Sequence, residues 1–172
     1  MSHDWHPDFE RLVEEHQSMV FSLALRMTAD RGLAEEVAQD VFLELDRHLG
    51  RIESPEHALN WLRRVSMNRS ADALRRRKVR GIDLWVEIDD MHGAQSEERA
   101  SPMGARLEQL LATLPEAQRA ALVLRYQEDQ SPEEIAKTLE APLATVKSNL
   151  HRGLKLLRAK ATSHLKEFIR GA

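Results

Sequence analysis

The chain has 172 residues, a formal net charge of −3 at pH 7 and no cysteine. This length suffices for one ordinary domain or two small ones, and the lack of cysteine excludes a disulfide framework and a thiolate metal site. No run of about eighteen apolar residues is present, and the start MSHDWHPDFE lacks the basic-then-apolar pattern of a signal peptide, so we expect a cytoplasmic protein without membrane insertion.

Charge is segregated along the chain although its sum is small. Residues 61–80 contain eight arginines or lysines and a single acid, Asp72. Residues 83–98 contain six acids and no lysine or arginine. From residue 143 to the end, seven basic residues accompany a single acid, Glu167. Two basic segments separated by an acidic connector therefore organise the chain, and basic helices of this kind favour binding to a polyanion.

The first half of the chain predicts three helices. Apolar residues recur at helical spacing in residues 8–27 and again in residues 32–48. The outer side of the second helix carries, at i, i+3, i+4 and i+7, the residues Glu36, Gln39, Asp40 and Leu43. Residues 49–55 read as a loop. A third helix is predicted from about residue 56 to residue 80, and its expected buried residues are Leu59, Leu62, Val65, Leu74 and either Met67 or Asn68.

The middle of the chain predicts a flexible acidic linker at residues 81–102, because it has no sustained period and contains glycine, serine and proline. A short apolar run interrupts its polarity, formed by Ile82, Leu84, Trp85, Val86 and Ile88. This run could dock on a domain of the same protein, which is the favoured case, or on a partner.

Residues 131–158 predict a helix-turn-helix. Ser131, Pro132 and Glu134 have the spacing of a capping box with proline at the first helical position. Pro142 ends that helix, and the next one places apolar residues on one side and basic residues on the other. With helices predicted at residues 103–114 and 116–127, this makes a four-helix unit. The predicted fold class is all-α, with two small helical domains, residues 1–80 and 103–172, joined by the linker.

Four segments occur in an order that identifies a family. They are LAEEVAQDVFLEL (residues 33–45), NWLRRVSMNRSADALRRR (residues 60–77), LEQLLATLPEAQRAALVLRY (residues 107–126) and the helix-turn-helix. The chain resembles the extracytoplasmic-function (ECF) sigma factors, the minimal two-domain initiation factors of bacterial RNA polymerase. The resemblance implies that residues 1–80 form sigma domain 2, which docks on core polymerase and recognises the −10 element. It implies that residues 103–172 form sigma domain 4, which recognises the −35 element.

For polymerase docking, the resemblance implies contact with the clamp helices of the largest polymerase subunit. Glu36, Gln39 and Asp40 match the family's motif, and Leu43 completes the same outer side of the helix. Phe42 matches the motif's aromatic position, but it belongs to the predicted buried side and is expected in the core. An acidic surface that meets a basic partner is a plausible docking mechanism; the competing interpretation is a solvated helix face.

For the −10 element, the resemblance implies that the third helix recognises and helps to melt DNA, and that the loop before it captures an unstacked base. The residues expected at this contact are Arg51, Asn60, Arg63, Arg64, Asn68, Arg69, Arg75 and Arg76. Asp72 could pair with Arg69, Arg75 or Arg76 and orient the cluster. Trp61 could stack on a base, but its spacing with Leu62 and Val65 favours a core position.

For the −35 element, the resemblance implies contact in the major groove, with the polymerase flap touching the same domain. The residues expected at the DNA are Thr145, Lys147, Ser148, Asn149, His151, Arg152 and Lys155. Arg152 is expected to make a bidentate contact with guanine, whereas the two lysines contact phosphates. Two residues depart from the family: Asn149 replaces a common basic residue, and Glu140 replaces the usual turn glycine, at a cost of about 1 kcal/mol if its φ is positive.

Other classes of function are less well supported. The sequence has no glycine-rich phosphate loop, nucleophile elbow or cysteine nucleophile, which argues against an enzyme, and we expect no cofactor. His3, Asp4, His6 and Asp8 have a metal-like pattern, but a frayed polar tail is favoured over a metal site. A stand-alone helix-turn-helix regulator and a sigma-like decoy remain as alternatives. The resemblance also implies an anti-sigma factor as a partner, besides core RNA polymerase and promoter DNA.

Overall fold

The computed structural model describes residues 5–80 and 102–171. Every secondary-structure element in these ranges is helical, and the elements follow in the order α1 (Phe9–Thr28), α2 (Arg31–His48), a short 3₁₀ helix (Leu49–Arg51), α3 (Pro55–Val79), α4 (Pro102–Ala112), α5 (Glu116–Tyr126), α6 (Pro132–Leu139) and α7 (Leu143–Arg170). The predicted all-α class is confirmed. None of the described helices combines the length and apolar character that crossing a bilayer requires.

The chain divides into two compact units, Met1–Asp89 with α1 to α3 and Asp90–Ala172 with α4 to α7. The C-terminal unit therefore contains four helices, as predicted. The predicted linker and its apolar run fall on residues 81–101, which lie outside the described residues. The boundaries at residues 80 and 103 therefore stay predictions.

The turn between α1 and α2 is short and capped on both sides. Ala29 closes α1 in the left-handed conformation, at φ 54°. Asp30 is the N-cap of α2, and its Oδ1 accepts a hydrogen bond from the Leu33 N–H at 3.0 Å. The helices can therefore pack antiparallel with almost no intervening chain. Their largest fully buried side chains, with one from α3, are Val20, Leu23, Met27, Val37, Val41, Leu45 and Leu62.

Helix α3 begins one residue before its predicted start. Ser54 is its N-cap, with Oγ accepting from the His57 N–H at 3.0 Å. Pro55 occupies the first turn, where a missing N–H costs no helical hydrogen bond. The prediction of a loop throughout residues 49–55 was therefore wrong at both ends, since the 3₁₀ helix fills the beginning and α3 the end.

The buried side of α3 differs in part from the prediction. Leu62, Val65 and Met67 are buried, whereas Asn68, the alternative to Met67, is exposed. The predicted core residues Leu59 and Leu74 are only half-buried. Small side chains occupy much of the remaining buried side, namely Ala58, Ser66, Ser70 and Ala73.

Arg77 ties the end of α3 to the turn between α1 and α2. Its Nη1 donates to Asp30 Oδ2 at 3.1 Å, and its Nη2 donates to the Thr28 carbonyl oxygen at 3.2 Å. The Arg77 side chain is 11% exposed. Hydrogen bonds between ionised groups are stronger than neutral ones, so this arginine of the basic segment stabilises the fold.

In the C-terminal unit, Arg119 holds the end of α4 against α5. Its buried Nη2 donates to the carbonyl oxygens of Ala112 at 2.8 Å and Leu114 at 3.0 Å, which satisfies acceptors that the end of a helix leaves unpaired. Helix α7 approaches α5 closely at Gly153, where a Cβ would lie 3.0 Å from Leu122 Cδ1. Glycine at this position allows the two helices to pack.

Helices α6 and α7 form the predicted helix-turn-helix. The capping box is confirmed, because Ser131 Oγ accepts from the Glu134 N–H at 3.2 Å and Glu134 Oε2 accepts from the Ser131 N–H at 2.7 Å. Glu140 ends α6 in the left-handed conformation at φ 52°. The Ala141 N–H donates to the Ala136 carbonyl oxygen at 3.0 Å, as in a Schellman motif. Because the φ angle of Glu140 is positive, the expected cost of about 1 kcal/mol relative to glycine applies at this position.

Candidate nucleic-acid interface

Four predicted site residues share one side of α2, which we call the α2 stripe: Glu36, Gln39, Asp40 and Leu43. Glu36 and Gln39 are exposed, Asp40 is half-buried and Leu43 is 60% exposed. Because a helix turns about 100° per residue, the four side chains fall within about 100° of one another. Phe42 is partly buried against the core, which confirms the expectation for this residue. The α2 stripe is thus an acidic surface with one exposed leucine.

A second set of predicted residues lines one side of α3, which we call the α3 face: Asn60, Arg64, Asn68 and Arg75. The same helical geometry places them within about 80° of one another. Asn60, Asn68 and Arg75 are exposed and Arg64 is half-buried. Arg75 Nη1 donates to Asp72 Oδ1 at 3.0 Å, so Arg75 is the partner of Asp72 among the three considered. Arg63 lies beside the α3 face and is half-buried.

Arg69 and Arg76 lie on the flank of α3 that faces α2, about 100° or less from Asn68. Arg69 donates from Nε at 2.8 Å and from Nη2 at 2.6 Å to the same acceptor, Glu44 Oε2. Arg76 is exposed and lines a cleft together with Glu36 and Asp40 of the α2 stripe. The predicted −10 residues therefore divide into those of the α3 face and those of the seam between α2 and α3.

The segment before α3 is held by apolar contacts. Ile52 is 4% exposed and belongs to the core, while Arg51 beside it is exposed. Trp61 packs against the core, and its ring centroid lies 5.4 Å from that of His48. The core position expected for Trp61 is confirmed. The buried isoleucine fixes a segment in which Arg51 and Glu53 are exposed.

The predicted −35 residues cluster on the N-terminal half of α7. Thr145, Ser148, Arg152 and Lys155 fall within about 80° of one another, and we call this side the α7 face. Ser148 is half-buried and the other three are exposed. Lys147 and His151 are exposed beside it, whereas Asn149 is half-buried at the opposite edge. Val146 and Gly153 are buried on the far side.

The cations on and beside the α7 face differ from Arg69 of the seam, which is paired with Glu44. Lys147, Arg152 and Lys155 make no ion pair with any other residue in the described ranges. A helix surface of unpaired cations at the second helix of a helix-turn-helix is the arrangement that places side chains in the major groove of DNA.

Sequence reasoning missed two acids that hold arginines, Glu44 and Asp30. Their partners lie 25 and 47 residues away, beyond the reach of local spacing rules. Within the described residues, no group of three or more His, Cys, Asp or Glu side chains has the arrangement of a metal site. His3 and Asp4 of the metal-like pattern lie outside the described residues.

Comparison with known families matches both units. Residues 12–80 match the family model of Sigma-70 region 2, and residues 104–157 match that of Sigma-70, region 4. The ECF RNA polymerase sigma factor SigE of Mycolicibacterium smegmatis is 33% identical over 171 residues, covering 96% of this chain and 66% of that protein. The RNA polymerase sigma-H factor of Pseudomonas aeruginosa is 31% identical over 156 residues, covering 84% of this chain and 81% of that protein.

Two solved structures have a similar fold. The sigma factor RpoE in complex with the anti-sigma factor NepR from Bartonella quintana gives a TM-score of 0.70 at 20% identity, covering 88% of this chain and 95% of that chain. CnrH in complex with the cytosolic domain of CnrY gives a TM-score of 0.65 at 21% identity, covering 90% of this chain and 88% of that chain. Both family regions in their expected order, with relatives above 30% identity, show that this chain belongs to the ECF sigma factors, which are transcription initiation factors of RNA polymerase.

Proposed function

We propose that this chain binds core RNA polymerase, directs it to promoters through their −35 and −10 elements and aids melting at the −10 element. The observation that carries this proposal is the arrangement of three surfaces on two helical units. The acidic α2 stripe and the α3 face lie on the first unit, and the α7 face lies on the second. A regulator that only binds an operator needs neither the α2 stripe nor the α3 face.

The α2 stripe is the polymerase-docking surface in this proposal. Its acids complement basic residues on the clamp helices of the largest polymerase subunit, and complementary charge speeds and orients association. Leu43, at 60% exposure, supplies the apolar contact that an interface centre needs. The second unit contacts the polymerase flap.

The α3 face and the segment at residues 49–55 act on the −10 element. Unstacking a base from the duplex costs a few kcal/mol of free energy, and only the binding of that base in a fitted pocket offsets this cost. The buried Ile52 fixes the backbone of this segment, and arginines of the α3 face hold the strand by its phosphates. The N-terminal half of α7 reads the −35 element in the major groove.

The chain performs no catalysis of its own in this proposal, and the polymerase carries out RNA synthesis, so the protein works in the cytoplasm with polymerase and chromosome. An anti-sigma factor is proposed as a further partner. Support comes from the two sigma factors of similar fold, whose structures were solved with the anti-sigma factor NepR and with the cytosolic domain of CnrY.

Docking through the α2 stripe is tested by reversing one charge. Asp40→Arg should weaken binding to purified core polymerase at least 10-fold, because it sets like charges against each other at the interface. The measurement is co-elution in size-exclusion chromatography with a polymerase titration. Glu14→Arg, at an exposed position of α1, is the matched control and should bind as the wild type does. Equal binding by Asp40→Arg and the wild type would contradict the assignment of this surface.

A further inference from the structure

The carboxylate of Glu44 takes two of the five N–H donors of the Arg69 guanidinium. The bonds, at 2.8 Å from Nε and 2.6 Å from Nη2, join α2 to α3. The Arg69 side chain is 40% exposed and that of Glu44 is 27% exposed. The pair therefore lies at the edge of the protein, where the guanidinium is neutralised without being removed from solvent.

Other acids add to this neutralisation. The pKa of Arg69 is raised above its usual value, chiefly by the hydrogen bond to Glu44, and Asp40 and Asp72 contribute to the same effect through their charges. Asp72 is itself bonded to Arg75. Arg69 is thus surrounded by carboxylates from both α2 and α3, unlike the cations of the α7 face.

The position of Arg69 on its helix separates it from the α3 face. It lies about 100° around α3 from Asn68, on the side that packs against α2. Its long side chain can nevertheless reach solvent, as its exposure shows. Release of Arg69 from Glu44 would therefore add a mobile cation beside a surface proposed to bind DNA.

We propose that Glu44 is a positioning residue that withholds Arg69 from phosphate contact and thereby raises promoter specificity. This inference rests on the proposed function and assigns Arg69 a different role from the −10 contact that the family resemblance implies. Phosphate contacts carry no sequence information, and each one releases counterions on any DNA. A cation held by a neighbouring carboxylate contributes little to this sequence-independent binding.

The test measures binding of the free, full-length protein to a duplex without promoter sequence, across a salt series. Glu44→Gln keeps the size of the side chain and removes its charge. It should bind about 3- to 10-fold more tightly at 50 mM salt, with a slope of log affinity against log salt steeper by about 0.9. The control Glu35→Gln removes the acid of an exposed pair with Arg31 on the same helix, and should change affinity less than about 2-fold.

A double variant shows whether Glu44 acts through Arg69. In the double variant, Glu44→Gln with Arg69→Ala, the gain in affinity for the duplex without promoter sequence should fall to the level seen for Glu35→Gln. Lys155→Ala, which removes a cation that makes no ion pair within the described residues, should make the salt slope shallower by about 0.9, whereas Arg69→Ala alone should leave it unchanged. Equal effects of Glu44→Gln and Glu35→Gln, or a gain that persists without Arg69, would overturn the proposal. Circular dichroism melts verify that each variant keeps the wild-type fold, so that the gain in affinity is read from folded protein.

The same variants in holoenzyme connect this inference to function. The ratio of promoter to non-promoter binding should fall about 3- to 10-fold in Glu44→Gln. An unchanged ratio would overturn the proposed gain in specificity. Failure of the wild-type chain to support initiation would instead contradict the proposed function, while the measurements on free protein and DNA would still decide the role of Glu44.

Discussion

The basic helices of the two units use their charge differently. In the first unit, Asp30 at the N-cap of α2 holds Arg77, and Glu44 within α2 holds Arg69, so part of the basic segment fixes the helices to one another. In the second unit, Lys147, Arg152 and Lys155 make no ion pair within the described residues. A basic segment in the sequence can therefore serve to join helices or to bind DNA, and the neighbouring acids decide which of its cations remain available.

The largest effect on this comparison is expected from a change at Arg152 of the α7 face. Arg152→Ala should weaken binding to the −35 element by up to about 3 kcal/mol and relax specificity at one base pair. A bidentate contact with guanine gives this result because both donors are lost together. The measurement is a competition assay with holoenzyme over single-base variants of the −35 element.

Lys155→Ala is the matched control, because it removes a cation from the same α7 face. It should weaken binding to all sequences alike and reduce the salt slope by about 1. If Arg152→Ala behaved in the same uniform way, Arg152 would be a phosphate contact.

A smaller effect should separate the arginines of the first unit. Arg77→Ala should lower the free energy of unfolding by about 2 kcal/mol, because it removes a hydrogen bond to a carboxylate and one to a carbonyl in a nearly buried position. Arg75→Ala, which breaks an exposed pair with Asp72, should cost about 0.5 kcal/mol or less. Urea denaturation followed by circular dichroism measures both; equal losses would show that the two arginines do not differ as the structure indicates.

The smallest effect should come from the turn of the helix-turn-helix. Glu140 has φ 52°, a conformation that costs a residue with a Cβ more than it costs glycine. Glu140→Gly should therefore raise the free energy of unfolding by up to about 1 kcal/mol. A shift of the urea midpoint in the opposite direction would indicate that contacts of the Glu140 side chain outweigh the backbone strain.

Helix positions were predictable because apolar periodicity and caps are local signals. Ser131 and Glu134 lie three residues apart, and their capping box was correctly predicted. The 3₁₀ helix before α3 was missed, since a single turn has no period to detect. Residues 120–124 of α5 are all buried, although five consecutive residues cover the whole circumference of a helix, whereas Tyr126 at the end of α5 is 67% exposed; a burial pattern of this kind has no helical period to detect.

The candidate site was less predictable than the fold. Helical spacing predicted the α2 stripe and most of the α7 face, as each depends on one helix alone. It did not predict that Arg69 and Arg77 would be held by acids 25 and 47 residues away, because these pairs depend on how helices pack. The roles of the individual DNA-facing residues stay predictions.

Run-off transcription with purified core polymerase is the most direct test of the central claim that this chain selects where RNA synthesis begins. With candidate promoters as templates, the wild-type chain should give transcripts of defined length that core polymerase alone does not make, and Asp40→Arg should give far less of them at the same protein concentration. Binding to polymerase without transcripts from any template would favour a sigma-like decoy. Specific DNA binding without polymerase association would favour a stand-alone regulator, and either result would contradict the proposed function.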